Sequence, residues 1–188
     1  MSLYRNGGPA AAGFAAAAWI LVLLSPPRVG IAQEVTALRP LIQAGEKAPT
    51  FTLNGLDGKP YAFVPGKGKS SLLIFWSCFC PLCRELAPDL SELFRRHGKT
   101  VRFLSINLDG KRFSNSVGSF VKENRMEFPV LLDDIRNDFF IASDPYGISK
   151  TPTAVFVDGN GVVRGAYAAD AMREMIRNFD QVSSSPRK

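Results

Sequence analysis

Hydrophobic positions change their period several times along this chain, and each change marks an element. Residues 71–76 (SLLIFW) are an unbroken apolar run, as a strand covered on both faces requires. Over residues 81–96 the period becomes helical, with Leu82, Leu86, Leu90, Leu93 and Phe94 sharing one face. Residues 101–108 (VRFLSINL) predict a second buried strand. A helix follows over 114–124 with Val117, Phe120 and Val121 inward, then a short strand at 128–132 and a brief helix within 137–146. Hairpins are predicted at both ends of this succession. One joins 51–53 to 61–63 through Asn54-Gly55-Leu56-Asp57-Gly58, and the other joins 153–157 to 162–167 through Asp158-Gly159-Asn160-Gly161. A last amphipathic helix is predicted over 170–179, opening at Asp170 as its cap. The order of elements implies an α/β fold with a mixed central sheet flanked by helices. The end of strand 71–76 is where such a fold exposes its chemistry.

Residues 1–32 stand apart from this pattern. A short start with Arg5 and no acidic residue precedes AAAGFAAAAWILVLL, Pro26-Pro27 stops any helix, and Gly30-Ile31-Ala32 offers a small-x-small cleavage site. The stretch reads as a secretory signal peptide, with an uncleaved N-terminal membrane anchor as the alternative. Either places the remainder in an extracytoplasmic, oxidising compartment, periplasmic or at the cell envelope. Residues 33–46 read as a linker, 47–181 as the folded domain and 182–188 as a flexible tail rich in Ser, Lys and Arg.

Removing Arg5 and Arg28 from the 23 Lys and Arg leaves 21 against 17 Asp and Glu. The basic residues are dispersed rather than clustered, which argues against a nucleic-acid partner.

The candidate chemistry lies in Cys78-Phe79-Cys80-Pro81-Leu82-Cys83, where the apolar strand gives way to the helix. Free backbone N–H groups and the positive end of the helix dipole favour a thiolate at that point. Cys80 falls at the cap position and Cys83 one turn along, spaced to attack a mixed disulfide formed on Cys80. Pro81 suits the first helical position, where no N–H donor is needed. A purely structural disulfide is the bland alternative. Structural zinc is disfavoured because three cysteines and one histidine, His97, make a poor ligand set. Cys78 has three readings: a small buried hydrophobe, a third thiolate of a copper(I) site, or a spare thiol exchanging with the pair. Lys150-Thr151-Pro152-Thr153 precedes the strand of the second hairpin, and Pro152 reads by itself as a strand-entry proline.

Taken together, Phe75-Trp76, Cys80-Pro81-Leu82-Cys83-Arg84-Glu85, Gly147-Ile148 with Thr151-Pro152-Thr153, and Asp158-Gly159-Asn160-Gly161 resemble the thioredoxin-like oxidoreductases of the TlpA/ResA type, within the redoxin superfamily. The resemblance spans about residues 44–179. It implies a thioredoxin fold with an N-terminal β-hairpin and an inserted helix–strand, the latter matching 114–132. It implies that Cys80 attacks, that Cys83 resolves, and that Pro152 is cis beside them with the Thr151 backbone facing the substrate chain. The activity implied is reduction of protein disulfides, as in cytochrome c maturation, with a membrane dithiol as electron donor, an N-terminal tether, and no cofactor beyond a redox-active Cys80–Cys83 disulfide. Relatives commonly carry Trp where this chain has Phe79. Several place an acidic residue near the pair, for which Asp109, and secondarily Asp133, is the candidate acid/base. The competing function is copper(I) carriage by Cys80 and Cys83, with or without Cys78. Peroxide reduction ranks last, since no Pro-x-x-x-Thr-x-x-Cys setting precedes Cys80.

Overall fold

A computed structural model describes residues 39–184. The sequence reading of residues 1–32 as a signal or anchor therefore lies outside the described residues.

Six consecutive buried residues form β3 (Ser71–Trp76), and their alternation organises the molecule. Leu72, Ile74 and Trp76 point into one apolar cluster, while Leu73 and Phe75 point into another on the opposite face. The first cluster is completed by the helices α1 (Pro81–His97), α2 (Ser114–Glu123) and α3 (Asp170–Arg177), through Leu86, Leu90, Phe120 and Met175 among others. Opposite, Phe51, Phe63, Tyr146 and Ile148 close the second cluster.

Around β3 the chain builds a seven-stranded mixed sheet in the order β2-β1-β5-β4-β3-β8-β9. Its other strands are β1 (Phe51–Gly55), β2 (Pro60–Phe63), β4 (Arg102–Asn107), β5 (Val130–Leu132), β8 (Thr153–Val157) and β9 (Val163–Ala168). Strands β3, β4 and β5 run parallel, and β8 joins β3 antiparallel with Phe75 opposite Thr153. That register brings the proline before β8 to the end of β3 from which α1 departs. This is the thioredoxin fold with its N-terminal hairpin and inserted α2–β5.

Four expectations are corrected. Residues 137–146 hold no helix: Asn137 and Asp138 adopt positive φ of 52° and 67°, conformations that end a helix, and they turn β6 (Ile135–Arg136) into β7 (Phe139–Phe140). Asp170 is not the cap of the last helix. The chain turns at Ala169, whose N–H donates to the Pro152 carbonyl at 2.9 Å, and Asp170 sits in the first turn where its charge favours the dipole. The supposed linker is ordered where it is described. Ile42 is 1% exposed and bonds through its N–H to Tyr146 O at 3.0 Å. Gly147, at φ 65°, makes room for this docking, since a Cβ there would come within 2.1 Å of Pro40 O. Finally, the part of the tail that is described continues as α4 (Phe179–Ser184), held by Phe179 packing on Phe103 and Phe156. His97 packs its ring edgewise on Phe179 at 5.0 Å, at the end of α1 remote from Cys80.

Asp133 holds the irregular segment after β5. Its fully buried carboxylate accepts from the N–H groups of Asp134, Ala142 and Ser143 and from the Ser143 hydroxyl. That occupation removes it from candidacy as an acid beside the cysteines. Asp133→Ala leaves buried donors without an acceptor, and about 3 kcal/mol of destabilisation is expected in a denaturant titration.

Candidate active site

Site geometry begins with the end of β3. Beyond Trp76 the strand pairing stops, and Ser77 to Phe79 form a tight turn: the Ser77 carbonyl accepts from Cys80 N at 3.2 Å and its hydroxyl from Phe79 N at 3.1 Å. Cys80 then takes an extended conformation, φ −85° and ψ 116°, as the N-cap of α1, with Pro81 opening the helix. Its sulfur accepts the Cys83 N–H at 3.2 Å, satisfying one of the helix's free donors, and its thiol lies 3.4 Å from the Thr151 carbonyl. Ionisation of Cys80 removes the proton that Thr151 O accepts and strengthens the bond from Cys83 N–H.

The Thr151–Pro152 peptide bond is cis, and the Thr151 carbonyl lies beside Cys80. The segment is held from both sides, by Thr153 Oγ1 donating to Lys150 O at 2.8 Å and by Ala169 N–H donating to Pro152 O. The residues singled out from the motif, Cys80, Cys83, Thr151 and Pro152, therefore meet in one place.

The three thiols have different environments. Cys80 is partly exposed, whereas Cys78 and Cys83 are buried within the apolar cluster of α1. Burial pushes the Cys83 thiol up to about 12, with the neighbouring Cys80 sulfur adding to the shift. Cys78 is pushed up to about 11, first by burial and then by the Asp109 carboxylate. Among the described residues no three His, Cys, Asp or Glu side chains gather as a metal-ligand set.

Asp109 is built into the turn rather than aimed at the pair. It accepts from Ser77 Oγ at 2.6 Å, from Cys78 N–H at 2.8 Å and from Asn107 Nδ2 at 2.8 Å. Burial alone raises its pKa, but these hydrogen bonds outweigh it and hold the carboxyl below the ordinary aspartate value. It is thus a positioning residue, tying the end of β4 to the turn that presents Cys80. Ser77 and Asn107 share this work and were not legible as site residues. The nearest signal was the Asn107-Leu108-Asp109 spacing, which forms a local turn with Asp109 N–H donating to Asn107 Oδ1 at 3.0 Å.

Other contacts join motif residues to partners outside the motif, Phe120, Glu123 and Phe113. The Arg84 guanidinium sits over the Phe120 ring at 4.9 Å while pairing with Glu123 at 3.1 Å, and Phe120 packs on Trp76 at 4.6 Å. Phe79, 63% exposed beside Cys80, meets the ring of Phe113 edge to face at 5.2 Å.

Two outcomes check this geometry by alkylation at graded pH with peptide mass analysis. In the reduced protein at pH 8 Cys80 is modified first, while Cys78 and Cys83 resist until the chain is unfolded. In Asp109→Asn, loss of the neighbouring charge lowers the Cys78 midpoint from about 11, while burial keeps it above an ordinary thiol.

The chain is 27% identical over 142 residues to the thiol-disulfide oxidoreductase ResA of Halalkalibacterium halodurans, covering 75% of this chain and 77% of that protein. It is 28% identical over 162 residues to ResA of Bacillus thuringiensis strain Al Hakam, covering 85% and 91%. Among solved structures it resembles a secreted Mycobacterium tuberculosis disulfide oxidoreductase homologous to E. coli DsbE, with a TM-score of 0.57 and 26% identity over 69% of this chain and 94% of that one. Residues 43–182 match the Redoxin family, and the chain belongs to that family as an oxidoreductase of the thiol–disulfide type.

Proposed function

We propose that this protein reduces disulfides of other proteins outside the cytoplasm, with Cys80 as the attacking thiol and Cys83 as the resolving one. The observation that carries the reading is the contrast within the pair: Cys80 is partly exposed at the helix cap beneath Thr151, and Cys83 is buried one turn behind it.

The cycle follows from that contrast. The Cys80 thiolate attacks one sulfur of the substrate disulfide, forming a mixed disulfide and releasing the other substrate sulfur as a thiolate. Cys83 gives up its proton, attacks the Cys80 sulfur and releases the second substrate sulfur. Two electrons have then passed to the substrate, its two thiols have taken up two protons, and Cys80–Cys83 is a disulfide. Burial keeps Cys83 protonated until a mixed disulfide is in place, so the attacking role falls to Cys80. Thr151 offers its backbone beside the substrate strand, and the pair needs no other cofactor.

Location and partners are inferred from less direct support. Residues 1–32 carry the pattern of a signal or tether, and the Mycobacterium tuberculosis protein is described as secreted. In an oxidising compartment the disulfide form must be re-reduced from outside the pair, and a membrane-embedded dithiol is the donor that fits. Oxidised cytochrome c precursors are the substrate class that the TlpA/ResA-type motifs of the sequence imply.

Equilibration of the full chain, in detergent, against redox buffers tests the direction. A reductase is expected to show a two-electron potential near that of thioredoxin, about −270 mV, or lower. A value near about −120 mV indicates an oxidant, and absence of a reversible couple overturns the reading. Cys83→Ser is expected to accumulate a mixed disulfide with an oxidised protein substrate, visible as a mass increase reversed by dithiothreitol.

A further inference from the structure

Beside Cys80 the exposed Phe79 is joined by a second aromatic ring from outside the cysteine motif. After β4 the chain turns at Gly110 (φ 71°) into a single 3-10 turn, Lys111–Phe113, from which Phe113 reaches back to Phe79. Phe113 remains 38% exposed and Phe79 63%, so both rings present open apolar surface although they touch each other. The Arg112 guanidinium lies 5.7 Å from the Phe113 ring centre, placing a cation at the rim. On its other side the same turn supplies Lys111 to an open groove of about 380 Å³, lined also by Leu56, Ser114, Leu132, Asp134 and Arg136. Lys111 and Arg136 outnumber the single Asp134 carboxylate in this lining, so the groove is net positive.

These features are continuous by contact. Cys80 adjoins Phe79, Phe79 packs on Phe113, and the turn that holds Phe113 carries Lys111 into the groove. Building on the reductase reading, we infer that this strip is the track for the substrate segment bearing the attacked disulfide. The occupant is an extended polypeptide with an aromatic or aliphatic side chain beside its cysteine, set on Phe79 and Phe113, and acidic side chains farther along, facing Arg112, Lys111 and Arg136. Two half-exposed aromatic rings with an arginine at their edge have the composition of an interface anchor. The charges beyond them select by sign and accelerate encounter.

The test uses synthetic peptides, each closed by one disulfide and differing only at flanking positions. The reduced full chain in detergent is mixed with an acidic peptide or its Lys-substituted counterpart, and second-order rate constants are measured at low and high salt. The acidic peptide is expected to react about tenfold faster at low salt, with the advantage shrinking as salt rises. The double variant Lys111→Glu, Arg112→Glu is expected to abolish or invert that preference. Phe113→Ala is expected to erase the advantage of a peptide with Phe beside its cysteine over one with Ser. Equal rates for both charge classes in the unaltered protein, or preferences that survive these variants, overturn the track while leaving the reductase reading intact. If no peptide is reduced although the pair shows a reversible couple, the reductase reading fails and the track fails with it.

Discussion

Burial of β3 on both faces is the constraint on which the rest of the molecule depends. Its odd and even residues are committed to two separate apolar clusters, so a shift by one residue would place every side chain in the wrong one. With the register fixed, the strand ends at Trp76 and the chain must turn within Ser77 to Phe79. That fixes where α1 begins, and hence which residue caps it. The reactivity assigned to Cys80 is therefore a consequence of where an apolar run stops. The antiparallel β8 is bound to the same strand, which brings Thr151 and Pro152 to that point.

What could be read from the chain divides along physical lines. Periodicity located β3, α1, β4 and α2 because each has one strong apolar pattern and a single place to bury it. It failed over 137–146, where Phe139, Phe140 and Ile141 suggest an apolar element but Asn137 and Asp138 take left-handed conformations. A buried carboxylate nearby, Asp133, then satisfies the backbone that a helix would otherwise have satisfied itself. The cysteine pair was legible because strand, turn and helix are contiguous in sequence. Asp109 was visible only as a candidate of uncertain role, because its partners Ser77 and Cys78 lie some thirty residues away. Phe113 carried no signal at all, since its importance comes from a contact with Phe79 across two separate turns.

The three cysteines show how placement distinguishes identical side chains. Cys80 meets solvent and backbone donors, Cys83 lies in the apolar cluster behind it, and Cys78 is held beside a carboxylate that disfavours its ionised form. No change of residue type separates the partly exposed thiol from the two buried ones. The separation comes from a few ångströms of depth and from what occupies the nearest hydrogen-bonding position. A two-residue spacing alone would not distinguish them.

The site draws on the turn after β3, the loop after β4, the residues before β8 and, through Ala169, the entry to α3. These segments are widely separated in the chain and meet only when the sheet has closed. In an unfolded chain Cys80 has neither a helix terminus nor the Thr151 carbonyl beside it. The catalyst thus comes into being with its tertiary structure. A chain that has not yet folded carries three equivalent thiols, and closing the sheet is what makes one of them different from the others.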